Sequence, residues 1–513
     1  MVGHPVRRPG LRPHARARPL SLRPTHVPRV ARSALAALAL SATFAAGLAC
    51  HHGPAPAHAS PQLAPRPADA AAVRAAWLVA HTAPVRLAAP NVPPEGDLTR
   101  DPADDFADLA PFGRAVAGAR VVLLGEPTHG DGAAFRLKTR LVRYLHERHG
   151  FDVVAFESPL YDAARVWDAG RGGPDPAGTA GRALVPFYAQ SREFQPLFAY
   201  VGRQVRTARP LEVAGFDSQF HTAVSHDSLG RDLAALLVAR GADTSEVPGW
   251  APFRRMLDTL TAGTYYRTKP SAERQRAFLS TLADVRARVE GTTKNPAERW
   301  AAPPATRLAG GLDAAFWRQA LRSLDVFARD AFDTDLAVRD VARFNNARDA
   351  QMADNLLWLL RTRYPGRKVI AWGATSHLLH DGHTIDVRGA DFFGQERYVT
   401  MGEHVQRALP GASYAVGFVA ASGARGFSFP GAAPTPLPPP RPGSLEALLA
   451  ATSHDAAFLD LVRLPASGAW LRAPFVAGPL GYEPYTADWT RVLDGLFYLR
   501  TMTPSTATTL APR

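Results

Sequence analysis

The chain has 513 residues, of which 46% are hydrophobic and 20% charged, and this composition excludes a wholly disordered, collagen-like or coiled-coil protein. At roughly 100 to 200 residues per domain, the length allows one large domain with insertions or two to three small ones. The single cysteine, Cys50, excludes an internal disulfide framework and a zinc site built from several cysteines.

The formal net charge of +13 is concentrated at the N-terminus. Residues 1–49 contain eight arginines and no acidic residue, so they carry +8 and leave +5 for the rest of the chain. A surplus this small, without a dense basic run interleaved with aromatic residues, is weak evidence for a polyanionic partner. We therefore predict no nucleic-acid partner.

Residues 1–49 have the order of a secretory signal, because arginines precede an uncharged stretch shorter than the ~20 residues needed to span a bilayer. Gly47-Leu48-Ala49-Cys50 resembles a bacterial lipobox, which makes Cys50 the predicted site of lipid attachment. The alternatives are ordinary cleavage after Ala59 and an uncleaved anchor. We expect an exported periplasmic or cell-envelope protein that contacts the membrane only through this segment.

Residues 50–69 are rich in proline and alanine and predict an extended linker. Residues 70–510 follow as one domain. It starts with predicted helices near 70–80 and 106–116. Continuous apolar runs, typical of buried parallel strands, then occur at 120–125, 151–156, 211–216 and 368–372.

A helical pattern over residues 135–150 separates the first two predicted strands and indicates a βαβ unit. Another helical pattern lies near residues 194–205. Between residues 222 and 347 we find helical patterns and no convincing buried strand, and a further helix near 338–364 leads into the fourth strand. The expected fold is α/β, with a mainly parallel central sheet flanked by helices and a helical insertion, residues 222–347, capping the site.

Each predicted strand is followed by polar or ionisable side chains, namely Glu126 and His129, Glu157, Asp217, and His377. Because the carboxyl ends of parallel strands face one crevice, we expect these side chains to converge there. A carboxylate directly after a buried strand is unfavourable unless it is partnered, so Glu126 and Glu157 are strong candidates. Taken singly, Asp217 and His377 are also explained as helix-capping or turn residues.

The motifs resemble those of the erythromycin esterase family, in the family's order over roughly residues 105–500. They are Leu-Leu-Gly-Glu126-Pro-Thr-His129-Gly, Gly-Phe-Asp-Val-Val-Ala-Phe-Glu157, Gly215-Phe-Asp217, Arg348-Asp349-Ala-Gln-Met352-Ala-Asp-Asn355-Leu-Leu-Trp358, Trp372-Gly-Ala-Thr-Ser-His377, Met401-Gly402 and Tyr414-Ala-Val-Gly417-Phe418. The resemblance implies an α/β enzyme that opens an ester by attack of an activated water, without a required metal. In the best-known members the ester is the lactone of macrolide antibiotics, which would make antibiotic resistance a role.

The resemblance also implies roles for individual residues. His129 would be the general base, Glu126 and Glu157 would orient it and the water, and His377 would bind or polarise the carbonyl. Lys138 stands where the family usually has an arginine, and we assign Lys138 and Asp217 to substrate binding.

Two positions depart from the family pattern. Ala374 replaces the first of two histidines spaced three apart, and Ala133 replaces an acidic residue after the Glu126 turn. The expected partner is therefore a small ester or lactone whose identity is open, macrolides included. Oligomeric state is open as well.

The residues themselves favour water as the nucleophile, because the chain contains no Gly-x-Ser-x-Gly elbow. His129 suits the role of base, since an unperturbed imidazole titrates near the working pH, and an adjacent carboxylate could fix its tautomer. We expect a carboxylic ester hydrolase without a cofactor.

Two alternatives use the same residues. Glu126, His129, Glu157 and His377 could hold one divalent metal ion in a metal-dependent hydrolase, and His380 and His383 add imidazoles at near-helical spacing. The chain could instead be a non-enzymatic lipoprotein that binds metal or haem.

Overall fold

The computed structural model describes residues 68–87, 101, 103–264, 269–290, 312–333, 341–386, 397–429 and 431–508. The predicted signal segment, Cys50 and the predicted linker up to residue 67 lie outside these residues. No helix within the described ranges combines the length and apolar character needed to cross a bilayer.

Among the described residues, nine strands form one central sheet and two further strands form a separate hairpin. The strands are β1 (Ala83–Pro84), β2 (Val121–Leu124), β3 (Phe151–Pro159), β4 (Glu212–Asp217), β5 (Lys368–Trp372), β6 (Ser413–Arg425), β7 (Thr435–Pro436), β8 (Ala456–Asp460), β9 (Phe475–Ala477), β10 (Tyr485–Ala487) and β11 (Gly495–Met502). The sheet order is β1-β8-β11-β6-β2-β5-β3-β4, with β7 paired to β6. The run from β11 to β4 is parallel throughout, whereas β8, β1 and β7 pair antiparallel.

Both faces of the sheet are buried. Along β2, Val121 and Leu123 contribute to one apolar core, and Val122 and Leu124 contribute to the other. This alternation follows from the two-residue period of a strand, and it explains why the central strands are continuous apolar runs in the sequence.

Helices cover the two faces. They are α1 (Ala68–His81), α2 (Ala110–Ala115), α3 (Gly132–His149), α4 (Leu160–Gly170), α5 (Pro176–Arg182), α6 (Pro186–Ala189), α7 (Gln195–Gln204), α8 (Ala223–Ala239), α9 (Trp250–Thr261), α10 (Ala272–Glu290), α11 (Ala314–Asp333), α12 (Val341–Trp358), α13 (Thr375–Leu378), α14 (Met401–Ala408), α15 (Leu445–Ala450) and α16 (Trp489–Val492). Helices α2, α3 and α5–α7 pack on the Val122 face, and α8–α12 pack on the Val121 face.

The predicted insertion is helical in the parts that the structure describes, since α8–α11 all lie between residues 222 and 347. Near the end of α11, burial raises the pKa of Asp330 to about 7, while the charge of Arg348 on α12 opposes this rise. The insertion therefore extends to the neighbourhood of the strand ends.

The four predicted strands are confirmed as β2, β3, β4 and β5, and they are neighbours in the sheet. The second strand is longer than predicted, because pairing of β3 with β4 continues to Pro159 past a register irregularity after Phe156. This irregularity contains Glu157, and such bulges commonly redirect a side chain. The helix predicted near residues 106–116 is a 3₁₀ turn, Ala107–Leu109, followed by α2.

Candidate active site

Glu126 lies just after β2 and is completely buried. One oxygen, Oε2, accepts hydrogen bonds from Lys138 Nζ at 2.6 Å and Trp372 Nε1 at 2.7 Å. The other, Oε1, accepts from Tyr188 OH at 2.7 Å and lies 2.8 Å from His129 Nδ1. Burial opposes ionisation, but Lys138 and His129 outweigh it and lower the pKa of Glu126 to about 2. Glu126 is therefore a fixed carboxylate.

His129 presents one ring nitrogen to Glu126 and the other to Glu157. Because the ionised Glu126 can only accept, the neutral imidazole carries its proton on Nδ1 and has a lone pair on Nε2. This Nε2 lies 3.9 Å from Glu157 Oε1, and the side chain is 13% exposed. The ring of Phe187 stacks on the imidazole with centroids 4.4 Å apart. Burial lowers the pKa of His129, but the Glu157 charge and the Glu126 hydrogen bond outweigh it and raise the pKa above 6.5.

The turn that carries His129 is fixed from within. Asp131 accepts hydrogen bonds from the Thr128 backbone N at 2.6 Å and from Thr128 Oγ1 at 2.8 Å. At Gly130 a Cβ atom would lie 2.8 Å from the backbone of Gly426, so only glycine allows the two segments to approach. The sequence between β2 and α3 thus sets the direction of the His129 ring.

Glu157 is the carboxylate that connects the two halves of the site. Its Oε2 accepts a hydrogen bond from the Ala374 backbone N at 2.8 Å, and its Oε1 accepts one from Arg348 Nη2 at 3.0 Å. The same Oε1 lies 3.5 Å from His377 Nε2. Burial would raise the pKa, but His377 and His129 in their protonated forms and the permanent charge of Arg348 outweigh this effect and lower the pKa of Glu157 to about 2.

His377 lies in the short helix after β5 and is buried. Its Nδ1 is 2.9 Å from Asp349 Oδ1, and its Nε2 is 3.0 Å from Arg348 Nη1. A guanidinium only donates hydrogen bonds, so Nε2 must accept and Nδ1 must carry the proton. In its neutral form the imidazole therefore has its N–H on Nδ1, where it points at Asp349.

Arg348 projects from α12 and is held by two acids. Its Nε donates to Asp217 Oδ1 at 3.1 Å and its Nη2 donates to Asp217 Oδ2 at 2.8 Å, which is a bidentate pair. Burial acts to lower the pKa of Arg348, but the charges of Asp217 and Glu157 outweigh this effect and raise the pKa well above the usual value of an arginine. The site therefore contains a permanent cation whose side chain is 13% exposed.

The structure brings Glu126, His129, Glu157 and His377 together, as expected from the strand ends. Lys138 and Asp217 lie beside them, but Lys138 is completely buried and Asp217 is 3% exposed. Lys138 contacts Glu126, and both Asp217 oxygens contact Arg348. Lys138 and Asp217 thus hold other side chains of the site in place. Their assignment to substrate binding stays a prediction.

Sequence reasoning missed Arg348 and Asp349 as site residues, although their segment carried the family resemblance. They lie on a helix, and the strand-end argument does not identify the face of a helix that meets the crevice. A signal was present nonetheless, since Arg348 and Asp349 immediately precede the apolar positions of the same helix, and a charged residue that is buried there requires a partner. Tyr188 on α6 was missed for the same reason.

The cluster fits a metal ion poorly. Lys138 and Arg348 already act as cations on Glu126 and Glu157, and the Nε2 lone pair of His377 faces Arg348. Among the residues that the structure describes, two other groups have three ligand atoms within 4.8 Å of one another, namely Asp381, His383 and Glu403, and Asp104, Asp105 and Asp108. Each group is already paired with arginines, which include Arg397, Arg407 and Arg491 for the first and Arg86 and Arg140 for the second.

Comparisons with known proteins agree with the motifs. The family model described as erythromycin esterase matches residues 146–500. A predicted hydrolase of Bacillus subtilis (strain 168), YbfO, is 26% identical over 411 residues, which cover 78% of this chain and 87% of YbfO. The family match begins inside α3, after Glu126 and His129, so the interpretation of these two residues depends on their geometry.

Three solved structures share the fold. A Bacillus cereus protein has a TM-score of 0.65 at 18% identity and covers 86% of this chain and 99% of its own. A mutant of the erythromycin esterase EreC in its open conformation has a TM-score of 0.57 at 17% identity, and the match covers 80% of this chain and 96% of EreC. A succinoglycan biosynthesis protein has a TM-score of 0.63 at 14% identity, and the match covers 86% of this chain and 100% of that protein.

Proposed function

The chain belongs to the erythromycin esterase family, and we propose that it hydrolyses an ester or a lactone by general-base activation of water. Family membership and the B. subtilis relative support a hydrolase. The main support for water activation by a general base is that His129 Nε2 and Glu157 Oε1 face each other at a distance of 3.9 Å.

That distance is too long for a direct hydrogen bond, and it suits a water molecule bonded to both atoms. In this position the water donates one proton to His129 Nε2 and the other to Glu157 Oε1. With a pKa of about 2, Glu157 is too weak a base to take a proton at neutral pH, so it orients the water. His129, with its raised pKa, accepts the proton.

The reaction follows in two steps. The water oxygen attacks the carbonyl carbon as its proton moves to His129 Nε2, which forms a tetrahedral oxyanion and an imidazolium. The carbon–alkoxide bond then breaks, and His129 returns the proton to the leaving oxygen. Glu126 stabilises the imidazolium through Nδ1, and Lys138 keeps Glu126 ionised and in place.

We propose that this chemistry needs no metal ion. The residues themselves support this proposal, because the carboxylates of Glu126 and Glu157 already form ion pairs with Lys138 and Arg348. A divalent ion added to this cluster would have to displace or face one of these cations.

We also propose that the protein is exported and anchored through a lipid on Cys50, in the periplasm or cell envelope. The order of basic, apolar and small residues before Cys50 supports this. The substrate is proposed to be a small ester or lactone, and macrolide lactones belong to the set to be tested.

The test is turnover by protein lacking residues 1–50 on a panel of alkyl esters, aryl esters and lactones that includes macrolides. Hydrolysis of at least one substrate, with strong loss in the Glu126→Gln variant, supports the proposal. If no ester or lactone is hydrolysed, a hydrolase of another bond or a binding protein becomes the better description. Equal rates in Glu126→Gln and wild type would remove this cluster from the reaction.

A further inference from the structure

The hydrogen bonds that Arg348 donates to neighbouring side chains use four of its five N–H groups. A guanidinium has five N–H donors. Nε donates to Asp217, Nη2 donates to Asp217 and Glu157, and Nη1 donates to His377. These four bonds leave a second N–H on Nη1, on a side chain that is 13% exposed.

His377, by contrast, has no N–H to offer a substrate. Its single proton lies on Nδ1 and faces Asp349, and its Nε2 accepts from Arg348 Nη1. Tyr398 OH also donates to Asp349, at 3.2 Å, and the Met401 backbone N donates at 2.8 Å. Asp349 is thereby fixed, and with it the ring of His377.

We propose that Arg348 binds the carbonyl oxygen of the substrate through this remaining Nη1 N–H and stabilises the oxyanion. In this assignment His377 and Asp349 are positioning residues that aim the guanidinium. The inference rests on the proposed ester hydrolysis, and it replaces His377 as the expected polarising group.

The position of Arg348 relative to the attacking water supports this role. Glu157 Oε1 accepts a hydrogen bond from Arg348 Nη2 at 3.0 Å and lies 3.9 Å from His129 Nε2. A water held between His129 and Glu157 is therefore close to the guanidinium. In this assignment the carbonyl oxygen of the substrate binds at Nη1 while its carbon faces this water.

The electrostatics of Arg348 suit an oxyanion. The group stays charged throughout the reaction, and its fork is fixed before substrate binds by Asp217, Glu157 and His377. Donors held in advance at the place where charge develops stabilise the transition state more than the ground state. The contact also becomes stronger as the oxygen gains charge, because both partners are then ionised.

The test compares three variants on an ester that the wild type hydrolyses. Arg348→Lys keeps the charge but removes the fork, and His377→Gln keeps an oxygen that can accept from Nη1. Arg361→Lys is the matched control, because Arg361 is exposed and lies beyond the end of α12. The readouts are kcat, KM, melting temperature and the inhibition constant of a phosphonate that mimics the tetrahedral oxyanion.

We expect Arg348→Lys to lower kcat by ~10² to 10³ with KM changed only a few-fold, which is the range seen when one oxyanion donor is lost. Phosphonate affinity should fall in parallel with kcat/KM. His377→Gln should lose less than Arg348→Lys on both measures, and Arg361→Lys should match the wild type.

A loss below tenfold in a folded Arg348→Lys variant, or a change confined to KM, would overturn the assignment. If Arg348→Lys melts far below the wild type, the phosphonate affinity of His377→Gln decides between Arg348 and His377 as the oxyanion group. A hundredfold loss of phosphonate affinity there would make His377 the oxyanion group, and near-wild-type affinity would support Arg348. A wild type that hydrolyses no ester defeats the proposed function itself, which is a separate outcome.

Discussion

The Nε2 atoms of His129 and His377 face the same carboxylate oxygen, Glu157 Oε1, at 3.9 Å and 3.5 Å. The two imidazoles come from the ends of β2 and β5, which are hydrogen-bonded neighbours in the sheet. They are not equivalent, because Arg348 donates to Nε2 of His377 whereas Nε2 of His129 has its lone pair towards Glu157. In the proposed mechanism, this difference gives proton transfer to His129 and positioning to His377.

Replacing His129 by alanine should leave a folded protein with hydrolysis reduced by ~10² to 10⁴, the contribution typical of a general base. The comparison uses kcat on the best ester of the panel, with circular dichroism and melting temperature to check the fold. His383→Ala is the matched control, because His383 is exposed and lies outside the cluster. Retention of most activity in His129→Ala would remove this residue from the mechanism.

The rate should depend on the protonation of His129. Since the base must be neutral and its pKa is raised above 6.5, kcat/KM should rise with pH through an inflection above 6.5. Glu157, with a pKa of about 2, should add no inflection near neutrality. The measurement is kcat/KM from pH 5 to 9 within the range where the protein stays folded.

Glu126→Gln provides the control for this profile. The charge of Glu126 helps to raise the pKa of His129, so its removal should move the inflection to lower pH as well as reduce the rate. An inflection that stays in place in the variant would mean that another group titrates.

The strands that carry the site were predictable because they are buried on both faces. The segment Lys368–Trp372 is the clearest example, since its predicted and observed bounds coincide. Strands β6, β8 and β11 were not predicted as strands. β6 and β11 contain glycine, as at Gly417, Gly423 and Gly495, and β8 is a short antiparallel strand. The run 414–421 in β6 is nevertheless longer than the apolar run of β2, so the sequence did contain a signal for this strand.

The site was predictable only where it lies at strand ends. Glu126, Glu157 and His377 follow strands directly, so the parallel topology alone brings them together. Arg348 reaches the same place from the middle of α12, and its position depends on how that helix packs against β4 and α11. The sequence pattern does not determine that packing, so the principal cation of the site emerged only from the structure.

The buried pair of Lys138 and Glu126 should respond differently to single and double substitution. Lys138→Met leaves Glu126 as an uncompensated charge in a completely buried position, and breaking such a pair typically lowers the free energy of unfolding by ~3 to 5 kcal/mol. Lys138→Met combined with Glu126→Gln removes both charges and should recover most of that loss.

Urea unfolding of the two variants and the wild type measures this difference. The control is Lys269→Met, because Lys269 is exposed and should change the free energy of unfolding little. If the double variant is as unstable as Lys138→Met, the loss reflects packing of the lysine side chain against Trp372 and not the unpaired charge.

Activity should survive removal of divalent metal ions. Of the four residues that could act as ligands, Glu126 is already engaged by Lys138, and Glu157 and His377 are engaged by Arg348, so a bound dication would have to compete with both cations. Incubation with a chelator, followed by desalting and elemental analysis, should give metal-depleted protein with unchanged kcat/KM on the same ester. Loss of activity that zinc or manganese restores would show that Glu126, Glu157 and the two histidines rearrange around an ion, and it would contradict the metal-free mechanism.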